Sequence, residues 1–142
     1  MEIKEYTISD LESLEIFKSA VWPVADMEHY GDKMPDFYKK EITYLAKEGD
    51  TILGYVTIII DSGIAQIEPL MVAVDTQGQG IGTKLISYIE QELKKMNVHK
   101  VWLETGATWK SCPFYIKNGY TERCILPNHI ANQDFILFDK ML

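Results

Sequence analysis

Val72-Ala73-Val74-Asp75-Thr76-Gln77-Gly78-Gln79-Gly80-Ile81-Gly82-Thr83 joins an apolar run of strand character directly to a helical pattern. Three glycines at spacing two lie at the joint. Backbone N–H groups bared at the mouth of a helix form an anion site, most often for phosphate. The helix dipole adds roughly half a positive charge there, and glycine removes the Cβ that would hold a ligand off. This stretch therefore predicts a strand, an anion-binding turn and a helix.

Beyond the glycines, Ile81, Leu85, Ile86, Ile89, Leu93 and Met96 form one apolar helical stripe, with Lys94 and Lys95 in the last turn and Asn97 as a stop. Lys100–Glu104 then reads as a strand, so strand, crossover helix and strand predict one parallel pairing beside the loop. Upstream, Ile42–Lys47, Thr51–Asp61 and Ile64–Val74 are separated by the turns Glu48-Gly49-Asp50 and Ser62-Gly63, which predicts an antiparallel meander. Glu2–Ile8 alternates like a half-buried strand, and Ser9-Asp10 offers caps for a helix over Leu11, Leu14 and Phe17. Val21–Tyr38 reads as irregular, either a short helix or a flap. A short helix over Pro113–Asn118 ends at Gly119, and two strands follow near Tyr120–Ile125 and Phe135–Lys140. The sum is one α/β domain over residues 1–142, with a mixed, mostly antiparallel sheet of about six or seven strands flanked by about four helices.

The 142 residues carry a net charge of −7, which argues against a nucleic-acid partner. Two cysteines, Cys112 and Cys124, give neither a zinc spacing nor a disulfide framework, so no metal is expected. The start is charged, and the longest apolar run, near Ile58–Ile60, is too short to span a bilayer. These features predict a cytoplasmic protein without a membrane partner. The oligomeric state is left open, a homodimer included.

Two familiar glycine motifs fail on spacing. A dinucleotide fingerprint needs Gly-x-Gly-x-x-Gly, and a P-loop needs Gly-Lys-Ser/Thr, whereas Gly82-Thr83-Lys84 reverses that order. A ligand-free tight turn would hardly need three glycines. Gln77-x-x-Gly80-x-Gly82 resembles the pyrophosphate loop of the GNAT acetyltransferases, Gln/Arg-x-x-Gly-x-Gly/Ala. Pro113-Phe114-Tyr115-Ile116-Lys117-Asn118-Gly119-Tyr120 is similar to the family's second motif, and the order of elements matches over nearly the whole chain.

The resemblance implies an acetyl-CoA-dependent N-acetyltransferase in which an acceptor amine attacks the thioester directly, within a ternary complex. It places the diphosphate on amides between Gln77 and Thr83: Gln77, Gly78, Gln79, Gly80, Ile81, Gly82 and Thr83. It lays the pantetheine arm along the backbone of Met71, Val72, Ala73 and Val74, with an amide of Val72 or Val74 polarising the thioester carbonyl. Pro69, which cannot donate to a ladder, marks an edge, bulge or break in that strand. Tyr115 is implied as the acid that serves the leaving thiolate. Glu68 is the candidate base, sharing a face with Leu70 and Val72 if no bulge intervenes.

Thr108 stands where many members carry an Asn that touches pantetheine, and Pro113 falls where their helix is already running, so Gly106–Pro113 is expected to be rebuilt. Acceptor contacts are expected in Val21–Tyr38 and Leu126–Gln133, with Trp22, His29, Tyr30 and His129 as candidates, and Glu104, at the carboxyl end of its strand, is a candidate to bind the amine or to serve as a second base. An acidic, aromatic pocket suits a small amine, a polyamine or a lysine side chain. Cys112 lacks a His or Asn partner at a telling spacing and reads as packing. The rival reading is a catalytically silent module that binds CoA or acetyl-CoA on the same fold.

Overall fold

The computed structural model describes Met1, residues 3–33 and residues 39–142. The chain divides into two compact units, Met1–Pro35 and Asp36–Leu142.

In the first unit the expected strand over Glu2–Ile8 is absent from Ile3 onward, and Glu2 lies outside the described residues. Side chains claim the backbone for a helix start instead. The Asp10 carboxylate accepts from the Thr7 N–H (3.0 Å) and the Thr7 hydroxyl (2.8 Å), and the Asp10 N–H donates to the Thr7 carbonyl (2.9 Å). Lys4 reaches the same carboxylate at 2.7 Å. A 3-10 turn over Ile8–Asp10 leads into α1, Leu11–Tyr30. The helix thus runs through much of the segment expected to be irregular, taking Pro23 inside it and stopping at Gly31, which has φ 54°. The rest of that segment, 34–38, lies outside the described residues.

The second unit is a six-stranded sheet. Its strands are β1 (Lys40–Glu48), β2 (Thr51–Asp61), β3 (Ile64–Val72), β4 (Lys100–Gly106), β5 (Thr121–Ile130) and β6 (Gln133–Met141), in spatial order β1-β2-β3-β4-β6-β5. Two helices complete it, α2 (Ile81–Lys95) and α3 (Ser111–Lys117). The described residues thus hold six strands and three α-helices, fewer helices than expected. Ser62-Gly63 and Ala131-Asn132, all at positive φ, supply the two-residue reversals whose twist suits hairpins.

α2 buries Leu85, Ile86, Ile89 and Leu93 against Val56, Ile58, Ala65, Ile67, Val101, Leu103 and Phe138. Met96 drops out of the stripe because it is the C-cap residue and is partly exposed. Ile89 is fully buried, so Ile89→Ala should lower unfolding free energy by about 2–5 kcal/mol, read as a shifted denaturant midpoint with an unchanged slope.

Every neighbouring strand pair is antiparallel except β3 with β4. That parallel pairing covers only Ile64–Gln66 against Lys100–Trp102, at the end of β3 remote from the glycine loop rather than beside it as expected. A bulge explains the separation. Between Ile58↔Ile67 and Val56↔Leu70, β2 advances two residues and β3 three. The extra residue falls at Glu68-Pro69, joined by a cis peptide, where Pro69 has no N–H to offer a neighbour. Beyond it β3 and β4 splay apart.

Candidate active site

The bulge also resets which side chains share a face. Leu70 and Val72 stand opposite Val56 and Gly54, and Leu70 packs on the core with Ala65 and Ile67. Glu68 sits in the bulge, exposed, and does not share the face of Leu70 and Val72, contrary to the simple alternation. It makes no hydrogen bond or ion pair among the described residues.

The splay leaves one edge of β3 open. The Ala73 N–H donates to the Leu53 carbonyl at 2.8 Å, so Ala73 and, two residues back, Met71 point their polar groups into the ladder with β2. By alternation Val72 and Leu70 point theirs the other way, into the splay. The Gln77 carboxamide confirms the side by donating to the Val72 carbonyl at 3.2 Å. Leu70 is thus an open-edge residue that sequence alone could not reveal, because its phase depends on the bulge. Val74 has left the strand for a 3-10 turn over Val74–Thr76 and is 86% exposed. Of the two amides expected to meet the thioester, only that of Val72 lies on the open edge.

Local turns then use up part of the loop. The Gln77 N–H donates to the Val74 carbonyl (3.5 Å) and the Gln79 N–H to the Thr76 carbonyl (3.4 Å), so these two glutamines do not bare their amides. The amides of Gly78, Gly80, Ile81, Gly82 and Thr83 have no protein acceptor among the described residues, since the first bond into α2 is Lys84 N–H to the Gly80 carbonyl at 3.0 Å. No side chain caps the helix. Gly78 and Gly80 are left-handed (φ 80° and 82°), and a Cβ on either would meet nothing within 4 Å. Gly82 has a different task. A Cβ there would lie 3.1 Å from the Phe114 ring of α3, so this glycine lets α3 pack against the start of α2.

α3 begins at Ser111, whose hydroxyl lies 2.6 Å from that of Thr105, and Pro113 occupies its first turn, where a missing N–H is harmless. Gly106–Pro113 is therefore a strand end, a turn and a helix start. Thr108 sits exposed in the turn. Trp109 lies on Gly106, where a Cβ would collide with the indole, and stacks edge-on to Phe135 at 5.3 Å. Neither aromatic was expected at the site; the glycine ahead of a tryptophan was the available signal.

Tyr115 is 6% exposed, with its ring among Phe114, Tyr120 and Phe138. Its hydroxyl makes no hydrogen bond among the described residues and, unlike the sealed hydroxyl of Tyr120, is open to solvent. Burial pushes its pKa up to about 12. The phenol is thus neutral at physiological pH. Its contribution to folding is complete below pH ~10 and is lost as pH rises through about 12. In an ultraviolet phenolate titration, Tyr115→Phe should remove one tyrosine that ionises near pH 12. Burial also raises the Cys112 thiol, which donates to the Gly106 carbonyl at 3.3 Å, in keeping with a packing role.

The structure brings two of the acceptor candidates together. The His129 Nε2 lies 2.9 Å from the Glu104 carboxylate, with the imidazole 5.7 Å from the Phe135 ring. The other three, Trp22, His29 and Tyr30, lie on α1 in the first unit, where the His29 ring bonds the Ala25 carbonyl at 2.6 Å. No described helix is long and apolar enough to cross a membrane, and no described group of His, Cys, Asp and Glu is arranged to hold a metal.

An open strand edge beside a bare helix N-terminus is the geometry expected from the loop motif. The family model for the acetyltransferase (GNAT) family matches residues 8–120. The chain belongs to the GNAT acetyltransferase family. This GNAT protein is 26% identical over 125 residues to an IAA acetyltransferase of Azospirillum brasilense, covering 85% of this chain and 80% of the relative. Its fold is similar to that of an acetyltransferase from Bacillus cereus (TM-score 0.75, 23% identity, 100% and 98% of the two chains). It is also similar to an aminoglycoside 6'-N-acetyltransferase complexed with coenzyme A (TM-score 0.67, 21% identity, 99% and 97% covered).

Proposed function

We propose that this GNAT protein transfers an acetyl group from acetyl-CoA to a primary amine by direct attack in a ternary complex. The observation that carries the reading is the row of five unpaired amides, Gly78 and Gly80–Thr83, next to the open edge of β3. Coenzyme A bound in a structural neighbour supports it. The amides and the dipole of α2 hold the diphosphate. The pantetheine arm then runs along Leu70 and Val72 as an added strand, and the Val72 N–H polarises the thioester carbonyl. A well-placed donor to a developing oxyanion is worth about 3–4 kcal/mol.

Tyr115 serves the leaving sulfur. A phenol at about 12 is a weaker acid than a thiol, whose reference value is ~8.5. Handing over its proton to a solvated thiolate would be uphill by about 5 kcal/mol. The hydroxyl therefore acts by hydrogen bonding to the sulfur as the C–S bond breaks. Proton transfer completes because the burial that raises the phenol also raises a thiolate brought against it.

The acceptor arrives as an ammonium and attacks only after losing a proton. Acidic groups flank the splay on both walls. Two residues past the last paired couple, Gln66 and Trp102, the strands carry Glu68 and Glu104. Their charges favour a cationic acceptor, and the base belongs to one of these walls.

The reading is tested by calorimetry with acetyl-CoA, followed by thiol release with spermidine, tyramine and a lysine-containing peptide. Binding with turnover of at least one amine is expected. Binding without turnover of any amine would favour a silent CoA-binding module, and absence of binding would defeat both.

A further inference from the structure

The diphosphate grip and Tyr115 leave one step without an owner, the removal of the ammonium proton. We propose that His129, held by Glu104, is the base that removes it. This rests on the acetyl-transfer reading above.

Three features of the fold set up the pair. Between Leu126↔Phe135 and Ile130↔Gln133, β5 advances four residues while β6 advances two, so the segment carrying His129 bulges out of the ladder. Asp134 pins that bulge, since its carboxylate accepts from the Asn128 N–H (2.9 Å) and its carbonyl from the Ala107 N–H at the end of β4 (2.9 Å). The imidazole is thereby delivered to Glu104, on the strand that forms one wall of the splay.

The hydrogen bond fixes the chemistry. An ionised carboxylate only accepts, so the proton of the neutral ring must sit on Nε2 and point at Glu104. That leaves the Nδ1 lone pair, which has no partner among the described residues, free to take a proton. The Glu104 charge steadies the imidazolium that results. Glu68 has no group to orient it, whereas a base must be held within reach of the proton it removes.

The step balances. One ammonium proton passes to His129 Nδ1 and on to solvent. The freed nitrogen lone pair forms the N–C bond to the acetyl carbon, and the C–S bond breaks with its electrons on sulfur. A second proton leaves the nitrogen and ends on that sulfur by way of the Tyr115 hydroxyl. The products are the acetamide, CoA thiol and one free proton. Glu104 is a positioning residue here, and His129 is the catalytic one.

The experiment compares the whole protein with its His129→Ala, His129→Gln, Glu104→Gln and Glu68→Gln variants, using acetyl-CoA and the best amine of the panel above. His129→Ala and His129→Gln should lose about 100-fold in kcat. Acetyl-CoA affinity should stay within twofold, which reports an intact fold and cofactor site. Added imidazole should restore at least a tenth of the rate to His129→Ala, and a purely structural histidine would not respond. Glu104→Gln should lose about 10-fold in kcat. In the His129→Ala background it should abolish the imidazole rescue, because nothing then orients the free ring. The kcat loss in Glu68→Gln should be less than a tenth of that in His129→Gln. A wild-type rate in the His129 variants, no rescue, or a Glu68→Gln loss as large as that of His129→Gln would overturn the assignment while leaving acetyl transfer intact. Failure of the wild-type protein to turn over any amine would overturn both.

Discussion

Gly80→Asp should raise the Kd for acetyl-CoA about 100-fold, with kcat at saturation altered far less. Two effects combine. Gly80 has φ 82°, where an L-residue pays about 1–2 kcal/mol of steric strain, and this weakens binding to the extent that the free loop relieves it by leaving the shape that bares its amides. The new carboxylate would stand in the open space that the diphosphate enters, and two negative groups ~5 Å apart at an effective dielectric of 20 repel by about 3 kcal/mol. Solvent reduces that figure, and 100-fold corresponds to about 2.7 kcal/mol. Gly80→Asn separates the terms, since asparagine tolerates the left-handed region and carries no charge. It should lose about 10-fold or less. Calorimetry with acetyl-CoA measures both variants, and a cooperative melting transition that stays well above the assay temperature would exclude unfolding as the cause.

Tyr115→Phe should lower kcat by 100- to 1000-fold and leave the acetyl-CoA Kd within about threefold. The ring contacts to Phe114, Tyr120 and Phe138 survive the change, so the core keeps its packing. The lost hydroxyl bonds nothing in the described protein, so no buried partner is orphaned. Only the breaking C–S bond should notice its absence. The effect belongs in the chemical step, to be read by single-turnover kinetics with the amine saturating. A drop confined to KM would mean that the hydroxyl positions cofactor instead.

Much of the fold could be read from local rules. The three-strand meander was visible because Gly49, Ser62 and Gly63 punctuate β-branched runs, and α2 because its apolar residues keep helical spacing. The N-terminus misled for a physical reason. Glu2–Ile8 alternates in polarity, but the Thr7–Asp10 hydrogen bonds commit the backbone to a helix start, and side-chain capping is stronger local evidence than alternation. α1 continues past Pro23 into the segment that reads as irregular, either a short helix or a flap.

At the site, a glycine turn leading into a helix was legible in the sequence, and the structural tasks of its individual residues were not. Which amides remain bare depends on turns that bond Gln77 and Gln79 to Val74 and Thr76. The role of Gly82 depends on Phe114, more than thirty residues away. The phase of Glu68 depends on a bulge, which Pro69 hinted at without fixing. The pairing of Glu104 with His129 spans 25 residues and needs the β5 bulge to form, so no spacing rule would have found it.

The most direct test is the response of the loop amides to ligand. In proton–nitrogen correlation spectra, saturating coenzyme A should move the signals of Gly78, Gly80, Ile81, Gly82 and Thr83 strongly downfield, as new hydrogen bonds to phosphate oxygens require. Pantetheine, which lacks the diphosphate, should leave them in place. If those five signals stay put while coenzyme A binds, the diphosphate is held elsewhere and the account is wrong at its foundation.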